Sequence, residues 1–246
     1  MGIIPWAVYG NANSMVTWGW EHGGEFFDEG KQQFTTAGPE NIAALEWMVG
    51  YAKKYNITTL SGFQSGFGAL GLDGGFIQGK VAMQPFGPWE LPNFKQYGPN
   101  LHYGVTFLPA GPAPAPPHSS WVGGWCMGLP TGAKNSDQGW QWLYWLGASP
   151  EGTTMATQIS VAMTFSGSKT TPALADQRKN SELAPFVAIL EATLHQRPVT
   201  PVTDYYMGAL DRHVGEALYG KAVAKDALAA ADKESNQELQ NALSGK

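Results

Sequence analysis

The sequence predicts an α/β protein, built as one large or two small domains. Three observations carry that expectation. Short apolar runs of alternating character, at residues 81–86 and 101–108, are interleaved with stretches whose apolar residues recur every three to four positions. Beyond residue 180 the pattern is a run of helices, so strands and helices mix early and helices dominate late. Apolar residues make up 43% of the 246 and charged residues 14%, which favours a folded globule with a real core over disorder.

Taken in order, residues 3–8 read as a strand and residues 14–22 as a helix bounded by Gly23 and Gly24. Residues 25–27 and 32–34 flank Asp28-Glu29-Gly30-Lys31, a hairpin with a glycine in its turn. Pro39 and Glu40 then open an amphipathic helix, because proline suits the first helical position and an acidic residue complements the dipole there. Ile42, Leu45, Met48, Val49 and Ala52 form its apolar face, and Lys53-Lys54 sit at its end. Residues 61–75 are glycine-rich and read as loop. The strand at 81–86 stops at Gly87-Pro88, since proline lacks an N–H and fixes φ, and Pro88 then starts a helix to about residue 96. Trp89 is thereby held at a strand-to-helix corner. Its position alone suits a core residue better than a ligand contact, although such corners border clefts in open α/β sheets. Residues 101–108 follow as a strand and 110–117 as a proline-rich connector. A strand at 121–130 comes next, then helices from Ser136 and from Pro150, a polar loop at 166–171, and helices at 181–195, 203–219 and 223–243.

Net charge is −5 with no basic cluster, which argues against nucleic acid and anionic membranes as partners. The single cysteine, Cys126, allows no internal disulfide, and the five scattered histidines offer no metal set. No apolar run reaches membrane-spanning length, and the first residues lack the basic and apolar regions of a signal peptide. Two motif look-alikes fail on context. The glycines of residues 66–71 have no strand before them, and Gly79-Lys80 leads into Val81 and a strand instead of a hydroxyl residue and a helix. Nothing therefore calls for a nucleotide or any other cofactor. The unusual feature is aromatic content, with 10 Trp, 9 Tyr and 11 Phe alongside 31 Gly and 17 Pro. Charge-poor, tryptophan-rich chains suit sugar binding, where the C–H face of a pyranose packs on an indole. Glu21, Glu25 and Asp28 lie near Trp18 and Trp20, so a glycoside-active enzyme using Glu21 and Glu25 is an alternative, with solvated charges as the plainer reading.

An ordered set of stretches resembles one family. The set comprises Trp18-Gly-Trp20 with Gly23-Gly24-Glu25-Phe26-Phe27-Asp28, and Pro39-Glu40-Asn41 leading into Ala44-Leu45-Glu46-Trp47. It continues with Gly79-Lys80-Val81-Ala82-Met83 and Gly87-Pro88-Trp89, Leu108-Pro109, Gly123-Gly124-Trp125, Ser149-Pro150-Glu151-Gly152 and Ala217-Leu218-Tyr219-Gly220. Together they resemble the extracellular solute-binding proteins of bacterial ABC importers, family 1, the maltose-binding-protein-like sugar binders. The resemblance covers residues 3 to about 239 and matches the family's portion from the middle of the protein to its end.

The resemblance implies a periplasmic-binding-protein-like (type II) second lobe, a mixed sheet flanked by helices, from residues 1–117 and 172–246. Residues 118–171 would be the return segment to a first lobe whose main sheet is absent. It implies a non-enzymatic protein, periplasmic or extracellular, that holds a mono- or oligosaccharide and works with an ABC permease. The family's stacking aromatic falls on Trp89, beside Gly87, and the Gly-Gly-Trp strand end places Gly124 and Trp125 at the cleft. Trp18 and Trp20 would lie opposite, and Tyr205 or Tyr206 matches more loosely. Trp121, Val122, Trp125, Trp140, Trp142 and Trp145 would expose apolar surface without the missing sheet, which favours a homodimer or swapped assembly. A structural fragment without ligand function is the remaining alternative.

Overall fold

The computed structural model describes residues 10–68, 73–112, 120–121, 123, 127–159, 177–192 and 194–245. The expected strand at 3–8, most of the proline-rich connector, the loop at 166–171 and the site residues Gly124 and Trp125 lie outside them. The chain divides into two compact units. One comprises residues 1–85, 108–121 and 192–246, the other 86–107 and 122–191. These boundaries follow packing, and they fall at places other than 117 and 171.

In the first unit, helix α1 (Gly10–Glu21) starts where Asp211 accepts hydrogen bonds from the N–H groups of Asn11 and Ala12 at 2.8 and 3.1 Å. A carboxylate satisfies two donors that a first helical turn leaves open and complements the dipole. The helix ends in a glycine cap. Gly23 has φ +82°, its N–H bonds to the Trp20 carbonyl, and Gly24 N–H reaches back to the Gly19 carbonyl. The hairpin follows as β1 (Phe27–Asp28) and β2 (Gln33–Phe34), antiparallel, with Phe27 opposite Phe34. Its left-handed residue is Gln32, at φ 51°.

Helix α2 (Pro39–Tyr55) buries Leu45, Met48 and Ala52 of the expected face, with Ile42 and Val49 partly covered. Asn56, at φ 60°, ends it, and its side chain accepts from Thr58 N and Thr59 N to start α3 (Ile57–Ser65). Residues 61–65, expected in a loop, are therefore helical: an asparagine cap outweighs the neighbouring glycine. At the far end of the chain, helices α8 (Thr203–Leu218) and α9 (Ala224–Leu243) match their expected spans closely. Helix α8 stops at a second glycine cap, with Gly220 at φ +72°.

Helices α1, α2, α8 and α9 pack on one another. Met15, Val16, Trp18, Phe26, Phe34, Leu45, Met48, Leu210, Val214 and Leu228 form a continuous core among them. Two polar side chains stitch the hairpin onto α9. Asp232 accepts from Thr36 N and Ala37 N at 2.8 Å each, and Asn236 both accepts from Phe34 N and donates to Phe34 O. A helix thus supplies the bonds that a third strand would supply.

The second unit holds a 3-10 turn (Pro88–Glu90) running into α4 (Leu91–Tyr97), then α5 (Ser136–Ala148), α6 (Pro150–Ile159) and α7 (Ala184–Glu191). Ser149 links α5 and α6: its hydroxyl donates to the Trp145 carbonyl and accepts from Gly152 N. Helix α5 buries none of its side chains, and Trp140 and Trp142 are 63% and 55% exposed.

Far less sheet is present than the sequence suggested. Among the described residues the only ladders are the hairpin and a parallel pair, β3 (Ser120–Trp121) with β4 (Leu194–His195). Among the described residues, 81–86, 101–108 and 127–130 belong to no ladder. Alternation prepares a segment for a sheet, and only a neighbouring chain at hydrogen-bonding distance makes it one. The helix expected over 181–195 shortens to α7, because His195 is drawn into the β3–β4 pair.

Candidate functional site

In the second unit, the Gly87-Pro88-Trp89 corner is built as expected from its proline. Pro88 opens the 3-10 turn, Glu90 N–H bonds to the Gly87 carbonyl at 3.2 Å, and the cap N–H of Leu91 bonds to Pro88 O. Leu91 and Phe94 anchor α4 in the unit's interior, and Glu90, also buried, accepts from Asn93 Nδ2 at 2.8 Å. Phe94 packs edge-on against both Phe86 and Tyr103, with ring centroids 5.4 and 5.0 Å apart. Behind it Glu182 accepts from the Tyr103 hydroxyl at 2.8 Å and pairs with Lys95 at 2.7 Å. Burial and the adjacent Glu182 carboxylate push the Tyr103 phenol up to about 12, so it stays a donor at any physiological pH. On this braced scaffold Trp89 is 39% exposed. An indole with open surface on a fixed backbone can stack on an apolar ring face without first ordering itself.

The first unit treats its expected site residues differently. Trp18 and Trp20 are each only 2% exposed. Trp18 packs on Trp47 at 4.9 Å, and Trp20 lies between the Phe26 edge and the His195 imidazole, stacked at 5.2 Å and 10°. Neither leaves a ring face for a ligand. Trp20 merely borders a shallow depression of about 170 Å³ beside Glu25 and Arg197. Tyr206 is fully buried: its ring stacks on Phe34 at 4.2 Å, its hydroxyl bonds to Thr36 Oγ1 at 2.9 Å, and burial raises its phenol far above the ordinary value. All three residues belong to the core of the first unit. Tyr205, one position earlier, is exposed. Helical geometry turns consecutive residues about 100° apart, so one of the pair faces in and the other out.

The two carboxylates of the enzyme alternative are also separated by environment. Glu25 is exposed, 4.0 Å from His195 Nδ1, whereas Glu21 is wholly buried. Among the described residues neither carboxylate oxygen of Glu21 has a hydrogen-bond partner, and burial pushes its carboxyl up to about 8. Glu21 is buried, not solvated, and its spacing accounts for this: it stands three residues after Trp18, on the same helix face. Burial also lowers the His195 imidazole. Among the described residues no three His, Cys, Asp or Glu side chains are placed to hold a metal, and no helix is long and apolar enough to cross a membrane.

The family model for bacterial extracellular solute-binding proteins matches residues 5–184. The chain belongs to the bacterial extracellular solute-binding proteins. Solved structures agree on the fold. CpMnBP1 with mannotriose bound superposes with a TM-score of 0.75 at 21% identity, over 96% of this chain and 59% of that one. The cyclic α-maltosyl-1,6-maltose binding protein from Arthrobacter globiformis gives 0.66 at 21% identity, over 95% and 59%. The GacH receptor of Streptomyces glaucescens, solved unliganded and with acarbose, gives 0.68 at 19% identity, over 96% and 59%. The fold is therefore the α/β, periplasmic-binding-protein-like one, and this chain spans about three fifths of the length of those structures. The family is described as one of solute-binding proteins.

Proposed function

We propose that this solute-binding chain takes a carbohydrate, stacks it on Trp89, and serves an ABC permease from outside the cytoplasmic membrane. The observation that carries the reading is the open indole of Trp89 on a rigid Gly-Pro-Trp corner. Three similar structures are of a protein with mannotriose bound, a cyclic α-maltosyl-1,6-maltose binding protein and a receptor solved with acarbose, which supports a saccharide as the solute. Gly124 and Trp125 supply the second contact by resemblance. Residues 1–117 and 172–246 serve as the second lobe and 118–171 as the return segment to the first. Ligand in such a protein favours the closed state because it touches both lobes.

The test is a titration with mannotriose, maltotetraose and acarbose, followed by tryptophan fluorescence and calorimetry. We expect quenching with a Kd in roughly the millimolar range, and loss of about tenfold or more in affinity for Trp89→Ala. A silent wild type across the three sugars defeats the carbohydrate reading, and an undiminished Trp89→Ala defeats the stacking role.

The reading extends to self-association through the return segment. Helix α5 shows Trp140, Trp142 and Tyr144 to solvent on a helix with no buried side chain, and a second copy is the occupant we assign. Light scattering is expected to show a mass that rises with concentration, and Trp140→Ser/Trp142→Ser to return it to that of a monomer. A monomer at every concentration removes this part of the reading.

A further inference from the structure

We propose that Gly87 is a positioning residue: its missing side chain leaves the space that the Trp89 ring occupies, and so sets the pose in which the indole is presented. The first question is why a glycine stands there at all. Its backbone lies at φ −103° and ψ 172°, extended geometry that any L-residue adopts. Conformational freedom therefore does not account for it. Space does. A methyl built on Gly87 would interpenetrate the six-membered ring of Trp89 at Cζ3, Cη2 and Cε3, and no backbone atom is among its nearest neighbours. The three nearest atoms all belong to one side chain.

The surroundings decide what would yield. The main chain at residue 89 is held by the Pro88 ring and by the Glu90 N–H bond to Gly87 O. Beyond it Glu90, Leu91 and Phe94 are buried. Trp89 itself is the exposed member of the corner. An added methyl is accommodated by turning the indole to another rotamer, at little cost to the fold. Glycine here is thus tied to ring pose, and through it to any ring that stacks on the indole. The consequence for ligand rests on the carbohydrate reading above; the consequence for the ring does not.

The experiment uses the full chain labelled with 5-fluorotryptophan, with the Trp89 19F resonance assigned by its absence in Trp89→Phe. In Gly87→Ala we expect that resonance to move more than those of the other tryptophans. Mannotriose affinity should fall about tenfold. In a Trp89→Ala background, Gly87→Ala should leave residual affinity and thermal midpoint unchanged, because the ring it would strike is gone. An unmoved Trp89 resonance overturns the proposal. So does an equal loss of affinity from Gly87→Ala with and without the indole, or a failure of the double variant to fold where Trp89→Ala folds. If the wild type binds no sugar, the carbohydrate reading falls, while the resonance still decides the role of Gly87.

Discussion

Replacing Glu21 with glutamine is expected to flatten the dependence of stability on pH. The carboxyl is buried with no hydrogen-bond partner among the described residues, and its pKa is raised from 4.5 to about 8. A raised folded-state pKa means that the folded protein holds the proton more tightly than the unfolded chain. The stability tied to that proton is full below about pH 4.5, declines as pH rises, and is gone above about pH 8. The whole span corresponds to on the order of 4 kcal/mol, or roughly 10 °C in midpoint for a chain of this size. Asp232 is also shifted upward by burial, so the wild type carries a second slope of the same sign. The informative quantity is therefore the difference between the wild type and Glu21→Gln. Thermal melts by circular dichroism at pH 5, 7 and 9 should show the variant gaining on the wild type as pH rises. Parallel profiles would show that Glu21 finds a partner or water in solution.

Asp232→Ala is expected to destabilise the first unit by roughly 3 kcal/mol, because it orphans the N–H groups of Thr36 and Ala37 together. Those two residues join the hairpin to α2, so the loss falls where three elements meet. Asn236→Ala removes the paired bonds to Phe34 and should cost less, about 1–2 kcal/mol, since an edge strand can turn to water. Urea unfolding of the two single variants and the double variant measures both and their coupling. A loss below about 0.5 kcal/mol for Asp232→Ala would mean that the hairpin docks on α9 through its apolar face alone.

Local chemistry was legible along the chain. The glycine caps at Gly23 and Gly220, the proline start of α2, the turn at Pro88 and the starts of α5 and α6 all follow from residues within one helical turn of each boundary. The candidate site was legible in part. The Gly-Pro-Trp corner could be read from sequence, but neither the exposure of Trp89 nor the burial of Trp18, Trp20 and Tyr206 could be read from residue type. A tryptophan that stacks on a sugar and one that fills a core look alike in a sequence. The strands at 81–86 and 101–108 failed for a related reason, since their alternation says nothing of whether a partner strand lies alongside.

By itself, then, the sequence determined the family, the starts of α2, α5 and α6, the glycine ends of α1 and α8, and the corner that holds Trp89. Each depends on interactions among residues close in the chain or on an ordered set of short motifs. The tertiary structure alone decided which aromatic rings are sealed and which are open, and which carboxyl is starved of water. It alone placed Asp211, Asp232 and Asn236 against backbone some two hundred residues away. Burial and long-range hydrogen bonds are properties of what surrounds a residue, and those surroundings exist only once distant segments have packed together.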